Sequence, residues 1–104
     1  MTHTELQKSV LDLSKSQLFA GRIILIKNNT GRKGRVSFGM KGWPDIIGFN
    51  HNGTFVGIEI KVGRDKLSNE QQDFRDMLVN ANGHWYEIRS ETQAIIALKE
   101  IAGV

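Results

Sequence analysis

Asp45, Glu59 and Lys61 are the residues of this chain whose types and spacing could do chemistry together. Glu59 and Lys61 are two apart, inside a run of apolar residues from Phe55 to Val62. In a strand, residues two apart share a face. Phe55, Gly57, Glu59 and Lys61 therefore fall on one side, and Val56, Ile58, Ile60 and Val62 on the other. The second set is wholly apolar and must face a core. Asp45 opens another apolar stretch, Asp45 to Phe49, and His51-Asn52-Gly53 lies between the two. A three-residue loop with glycine in the left-handed position is a common hairpin connection. With that loop, Asn50 pairs with Thr54, and counting back sets Asp45 opposite Glu59. Their Cβ atoms would then stand about 4.5–5.5 Å apart. Two directly opposed carboxylates repel, unless a hard cation sits between them. Mg²⁺ takes one or two carboxylates together with waters and phosphate oxygens. Lys61 could then stabilise or activate a hydroxide nucleophile. The other reading is a surface hairpin with ordinary charges, or a register one residue off.

The elements that would position these residues follow from periodicity. Leu6, Val10, Leu13 and Leu18 have roughly helical spacing, so a helix is expected over Glu5 to Phe19, with Thr4-x-x-Gln7 as a capping box and Gly21 as its stop. Arg22 to Lys27 is a β-branched strand. Asn28 to Gly34 is turn-rich and basic and is expected to be a loop, with Val36 to Phe38 a short strand or part of it. After the hairpin, Ser68-x-x-Gln71 is a capping-box pattern, and Phe74, Met77, Leu78 and Ala81 follow at helical spacing. Asn82-Gly83 stops that helix. His84 to Ile88 is a strand. Ser90-x-x-Gln93 starts a last helix with Ala94, Ala97, Leu98 and Ile101 on one face. The order is αβββαβα, an α/β fold of one domain over residues 1–104, and a right-handed crossover is expected between Phe55 and Ile88. Gln71 precedes Phe74 by three and Leu78 by seven, so it lies on the inward stripe near the end of the Glu59–Lys61 strand. The cap alone also accounts for it.

The charge is uneven. The net charge of the 104 residues is +3, yet Leu13 to Pro44 holds no acid and carries Lys15, Arg22, Lys27, Arg32, Lys33, Arg35 and Lys41. Such a segment suits a polyanion, or is simply a solvated face. Arg32, Lys33 and Arg35 lie among glycines that allow close backbone approach, as in a phosphate-gripping loop. That loop lacks Walker A spacing and no GxGxxG follows a strand, so no nucleotide cofactor is expected. Absence of cysteine excludes disulfides, thiolate zinc sites and a cysteine nucleophile, and fits a cytoplasmic location. No apolar run approaches 18 residues, and the N-terminal residues lack a signal-peptide pattern, so no membrane partner is expected. His3, His51 and His84 show no ligand spacing and read as loop or surface residues, His51 in the hairpin loop also as a candidate polyanion contact. Trp43 and Trp85 read as packing residues.

Three blocks occur in order: Gly42-Trp43-Pro44-Asp45-Ile46-Ile47-Gly48, Ile58-Glu59-Ile60-Lys61 and Leu67-Ser68-Asn69-Glu70-Gln71. Together they resemble the PD-(D/E)xK nuclease superfamily and, more closely, the VRR-NUC family in its small stand-alone, often phage-encoded form. The resemblance implies a restriction-endonuclease-like core with a mixed sheet flanked by helices. It implies Asp45 and Glu59 as ligands of Mg²⁺ or Mn²⁺, the Ile60 carbonyl as a further ligand, Lys61 as catalytic lysine and Gln71 as the helix-borne glutamine. Glu5 matches a first-helix glutamate near the metal, although a lone glutamate in a first turn also suits the helix dipole. The implied activity is metal-dependent DNA cleavage by a homodimer, selective for branched DNA in the manner of Holliday-junction resolvases. DNA would be gripped by Arg32, Lys33, Arg35 and Lys41. The alternatives are a basic DNA-binding module without catalysis and an unselective nuclease on nicked or single-stranded DNA.

Overall fold

A computed structural model describes residues 1–28, 31–33, 36–38 and 41–104, the two short middle strands by their backbone alone. The elements are α1 (His3–Ser14), β1 (Ile23–Lys27), β2 (Gly31–Lys33), β3 (Val36–Phe38), β4 (Ile46–Asn50), β5 (Phe55–Ile60), α2 (Asn69–Asn80), β6 (His84–Ile88) and α3 (Glu91–Ala102). A four-stranded mixed sheet has the order β1-β4-β5-β6, with β5 and β6 parallel and the other pairs antiparallel. With the β2–β3 hairpin set aside, the main sheet and its helices follow the expected αβββαβα order. Among the described residues no helix is long and apolar enough to cross a membrane.

The inward face of the sheet holds Ile23, Leu25, Ile46, Val56, Ile58, Ile60 and Ile88, all buried against Leu6 and Val10 of α1 and Ala94, Leu98 and Ile101 of α3. The wholly apolar face of β5 is thus in the core, as its alternation requires. α2 covers part of the opposite face. A Cβ on Gly57 would stand 2.8 Å from Pro44 Cγ and 3.2 Å from Leu78, with Phe74 close behind, so α2 and Pro44 approach β5 only because residue 57 is glycine. Trp43 packs on Phe74 and, edge-on, on Phe55.

Several local expectations are corrected. α1 starts two residues earlier, because Thr2 rather than Thr4 caps it: the Thr2 hydroxyl accepts from the Glu5 N–H and the Glu5 carboxylate accepts from the Thr2 N–H. It ends at Ser14, not Phe19. There the Ser14 hydroxyl turns back to the Leu11 carbonyl, and a series of turns follows. Those turns bury Phe19 and leave Leu18 exposed. Gly31–Lys33 pairs with Val36–Phe38, so the stretch expected as a loop contains a small hairpin. Met77 points to solvent, since α2 lies on a partly covered sheet face and presents only Phe74 and Leu78 to Gly57. The caps at Ser68 and Ser90, the stop of α2 before Asn82-Gly83 and the buried face of α3 are as expected, and Asn82 takes the left-handed conformation there.

Candidate active site

The hairpin of β4 and β5 builds the site. Its loop is His51-Asn52-Gly53, with Gly53 at φ +77°, and Asn50 N–H donates to the Thr54 carbonyl. The pairs Phe49↔Phe55, Gly48↔Val56, Ile47↔Gly57 and Ile46↔Ile58 continue that register, and one step further it sets Asp45 beside Glu59. The arrangement predicted from loop length is the one found.

Asp45 is held from several sides. Its N-terminal neighbours form a rigid turn: Gly42 adopts φ +86° and lies so close to the Glu70 backbone that no Cβ would fit. Pro44 fills the space over Gly57. Asn28 binds the same turn from β1, its N–H donating to the Asp45 carbonyl at 2.7 Å and its side-chain amide to the Pro44 carbonyl at 3.0 Å. The Asp45 carboxylate accepts from the Ile60 N–H at 2.8 Å, and the same oxygen lies 3.2 Å from His3 Nε2. His3, set aside on sequence grounds, is thus a site residue. The signal for it was the Thr2 cap, which puts residue 3 in the first turn of α1.

Glu59 is only 3% exposed, and its Oε2 has no hydrogen-bond partner among the described residues. Burial, foremost, pushes its carboxyl up to about 9; the neighbouring Asp45 carboxylate adds to this, Lys61 opposes it, and Glu87 adds a little more. Glu87 of β6 is in register with Glu59, on the same sheet face, and its carboxylate is paired with Arg89. Period-two spacing puts Trp85, Glu87 and Arg89 on one face of β6, a sequence signal that could have marked both charges. Lys61 follows the last residue of β5 and is half-buried, its N–H donating to the Ile88 carbonyl at 3.1 Å.

The other candidates are placed as follows. Gln71 completes the Ser68 capping box, its Oε1 accepting from the Ser68 N–H at 2.8 Å. Glu5 is exposed and its carboxylate serves the Thr2 cap. It does not join Asp45 and Glu59: among the described residues no group of three or more His, Cys, Asp or Glu side chains converges as a metal cage. Lys41 is exposed and pairs with Glu70 at 3.1 Å. Arg32 and Lys33 lie on β2, whose side chains are outside the description, and Arg35 lies outside the described residues. His51 is exposed at the hairpin loop, at the opposite end of β4 from Asp45.

The donor set suits a hard cation. It consists of carboxylate oxygens, one of them buried and without a partner, on two adjacent strands. A buried, unpartnered carboxylate oxygen is costly, and a bound divalent ion would satisfy it. Two carboxylates supplemented by water and phosphate oxygens are what Mg²⁺ commonly accepts.

The family model for the VRR-NUC domain matches residues 5–92. No curated protein and no solved structure matches the chain.

Proposed function

The chain belongs to the VRR-NUC family of nucleases, and from that premise we propose that it is an endodeoxyribonuclease dependent on Mg²⁺ or Mn²⁺. Asp45, Glu59 and the Ile60 carbonyl hold the ion. The observation that carries this reading is the buried Glu59 Oε2, beside Asp45 and without a partner among the described residues. When bound, the ion supplies charge neutralisation at the scissile phosphate and a more acidic attacking water.

The chain's own residues do the rest. His3 and the Ile60 N–H fix the Asp45 carboxylate. Lys61, beyond Glu59 on the same strand face, orients the attacking water and offsets the charge that builds on the phosphoryl oxygens. As water attacks, it gives up a proton to solvent and a new P–O bond forms, the bond to the leaving sugar oxygen breaks, and that oxygen takes up a proton from solvent. Gln71 stands at the start of α2 and fixes that end of the helix through its cap.

The finer form of the proposal is a two-fold homodimer acting on branched DNA. The outer face of β1 and β4 supports it: Ile24, Ile26 and Phe49 are each about half exposed, and Ile24 lies directly beside Phe49. The acid-free basic segment supports a DNA partner. Labelled four-way junction, flap, single-stranded and duplex DNA, incubated with Mg²⁺, Mn²⁺ or chelator, test the proposal. Metal-dependent cleavage strongest on the junction is expected. Binding without cleavage under every condition would favour a non-catalytic DNA-binding module, and equal cleavage of all four an unselective nuclease.

A further inference from the structure

Arg89 lies just past β6, and each nitrogen of its guanidinium donates a hydrogen bond although its side chain is one third exposed. Nε donates to the Glu87 carboxylate, Nη2 to the Asp65 carbonyl, and Nη1 to the Gly63 carbonyl at 3.3 Å. Its own N–H donates to Gln93 Oε1 at 2.7 Å, which ties the residue to the first turn of α3. One residue therefore joins β6, α3 and the loop from Lys61 to Ser68, its side chain holding β6 to the loop and its backbone N–H reaching α3.

That loop leads directly from the catalytic strand to the capping box at Ser68 and Gln71. Beyond the Lys61 N–H, which donates to the Ile88 carbonyl where the loop leaves β5, its other ties among the described residues are local: the Asp65 N–H to the Val62 carbonyl at 3.2 Å, and the Gln72 amide to the Leu67 carbonyl at 3.2 Å. Arg64 and Lys66 are exposed on it. Hydrogen bonds from a guanidinium to carbonyls are charge-assisted and worth more than neutral ones. The planar fork can serve Glu87 and two loop carbonyls at once, whereas a lysine ammonium is a single point on a flexible stem.

We propose that Arg89 is a positioning residue, whose guanidinium pins the 63–65 loop to β6 and so fixes where Lys61 and the start of α2 stand relative to Asp45 and Glu59. The residue does not touch the reacting atoms. Its effect on turnover rests on the nuclease reading above; the clamp itself does not.

Two measurements on wild type, Arg89→Lys and Arg89→Ala test the proposal. The first is amide exchange on metal-free protein. Exchange at Asp65 should speed up roughly tenfold or more in both variants, the scale of one lost charge-assisted hydrogen bond. Exchange at Ile58, deep in the core, should stay as in wild type and show that the fold is intact. The second is steady-state cleavage in Mg²⁺. Turnover should fall by a similar factor in both variants, with KM for DNA within about twofold, because the lost interaction positions chemistry rather than binding. Unchanged exchange at Asp65, or faster exchange with unchanged turnover, would overturn the assignment. Full rescue of both by lysine would also overturn it, since charge alone would then suffice. An inert wild type would sink the nuclease reading, and the exchange data would still decide the clamp.

Discussion

The two ends of the β4–β5 hairpin each bury a polar side chain, and they treat it in opposite ways. At the closed end Asn50 is 4% exposed and fully employed. Its amide donates to the Ile101 carbonyl at 3.1 Å, and its carbonyl oxygen accepts from the Asn52 and Thr54 N–H groups at 2.9 and 3.0 Å. At the open end Glu59 is as deeply buried, yet one of its oxygens has no partner among the described residues and its neighbour Asp45 is another acid. Asn50 holds the hairpin loop and ties it to α3. Glu59 adds no such tie, and its burial costs stability in the metal-free chain. The difference separates a polar residue kept for the fold from one kept for chemistry.

The strongest way to break this comparison is to neutralise the open end. Glu59→Gln or Asp45→Asn should abolish cleavage while leaving DNA binding in Ca²⁺ largely intact, as read by gel assay and fluorescence anisotropy. Substantial residual cleavage in either variant would mean the carboxylates are structural. Lys61→Ala should come next, with turnover reduced about 10²–10⁴-fold, the usual contribution of a group that handles or orients a proton. Mn²⁺ affinity should persist in that variant, because an ammonium is not a ligand.

Stability sharpens the contrast, because the two ends should respond with opposite signs. Asn50→Ala leaves the Ile101 carbonyl and two loop N–H groups without partners, and should cost about 1–3 kcal/mol or more. Glu59→Gln should instead stabilise the metal-free protein above neutral pH. The carboxyl binds its proton more tightly in the folded state, with a pKa raised from 4.5 to about 9. Between those values the folded chain holds more protons than the unfolded one, so stability falls as pH rises through that window. Thermal melts from pH 5 to 9 should show this fall in wild type and a flatter profile in Glu59→Gln, at roughly 4–8 °C in Tm per kcal/mol regained. Parallel profiles would show that Glu59 is not strained. The smallest effect is expected from His3→Ala. Asp45 keeps the Ile60 N–H and the Asn28 contacts to its turn, so turnover should drop only severalfold and the melting profile should barely move.

Much of the open end was legible because a short-range rule governs it. A three-residue loop ending in Gly53 sets the register, and the register alone brings Asp45 to Glu59. The capping box at Ser68 and Gln71 is equally local. What sequence reasoning missed depends on partners far along the chain. Asn50 is buried by α3, 51 residues away. The start of α1 was misplaced because Thr2-x-x-Glu5 and Thr4-x-x-Gln7 compete as caps, and only the choice of Thr2 puts His3 within reach of Asp45. Met77 had the spacing of a core residue, but α2 covers only part of its sheet face. The hold of Arg89 on the 63–65 loop follows from β6 lying parallel to β5.

The claim on which the rest depends is that Asp45 and Glu59 together hold a divalent cation. Calorimetric titration of Mn²⁺ into the metal-free protein at pH 8, for wild type and Glu59→Gln, tests it most directly. The wild type should bind with saturable heat and release protons in proportion to the fraction of Glu59 still protonated, as the ionisation heats of two buffers would reveal. Glu59→Gln should bind far more weakly and release none. Identical isotherms for the two proteins, or binding without proton release, would contradict the account.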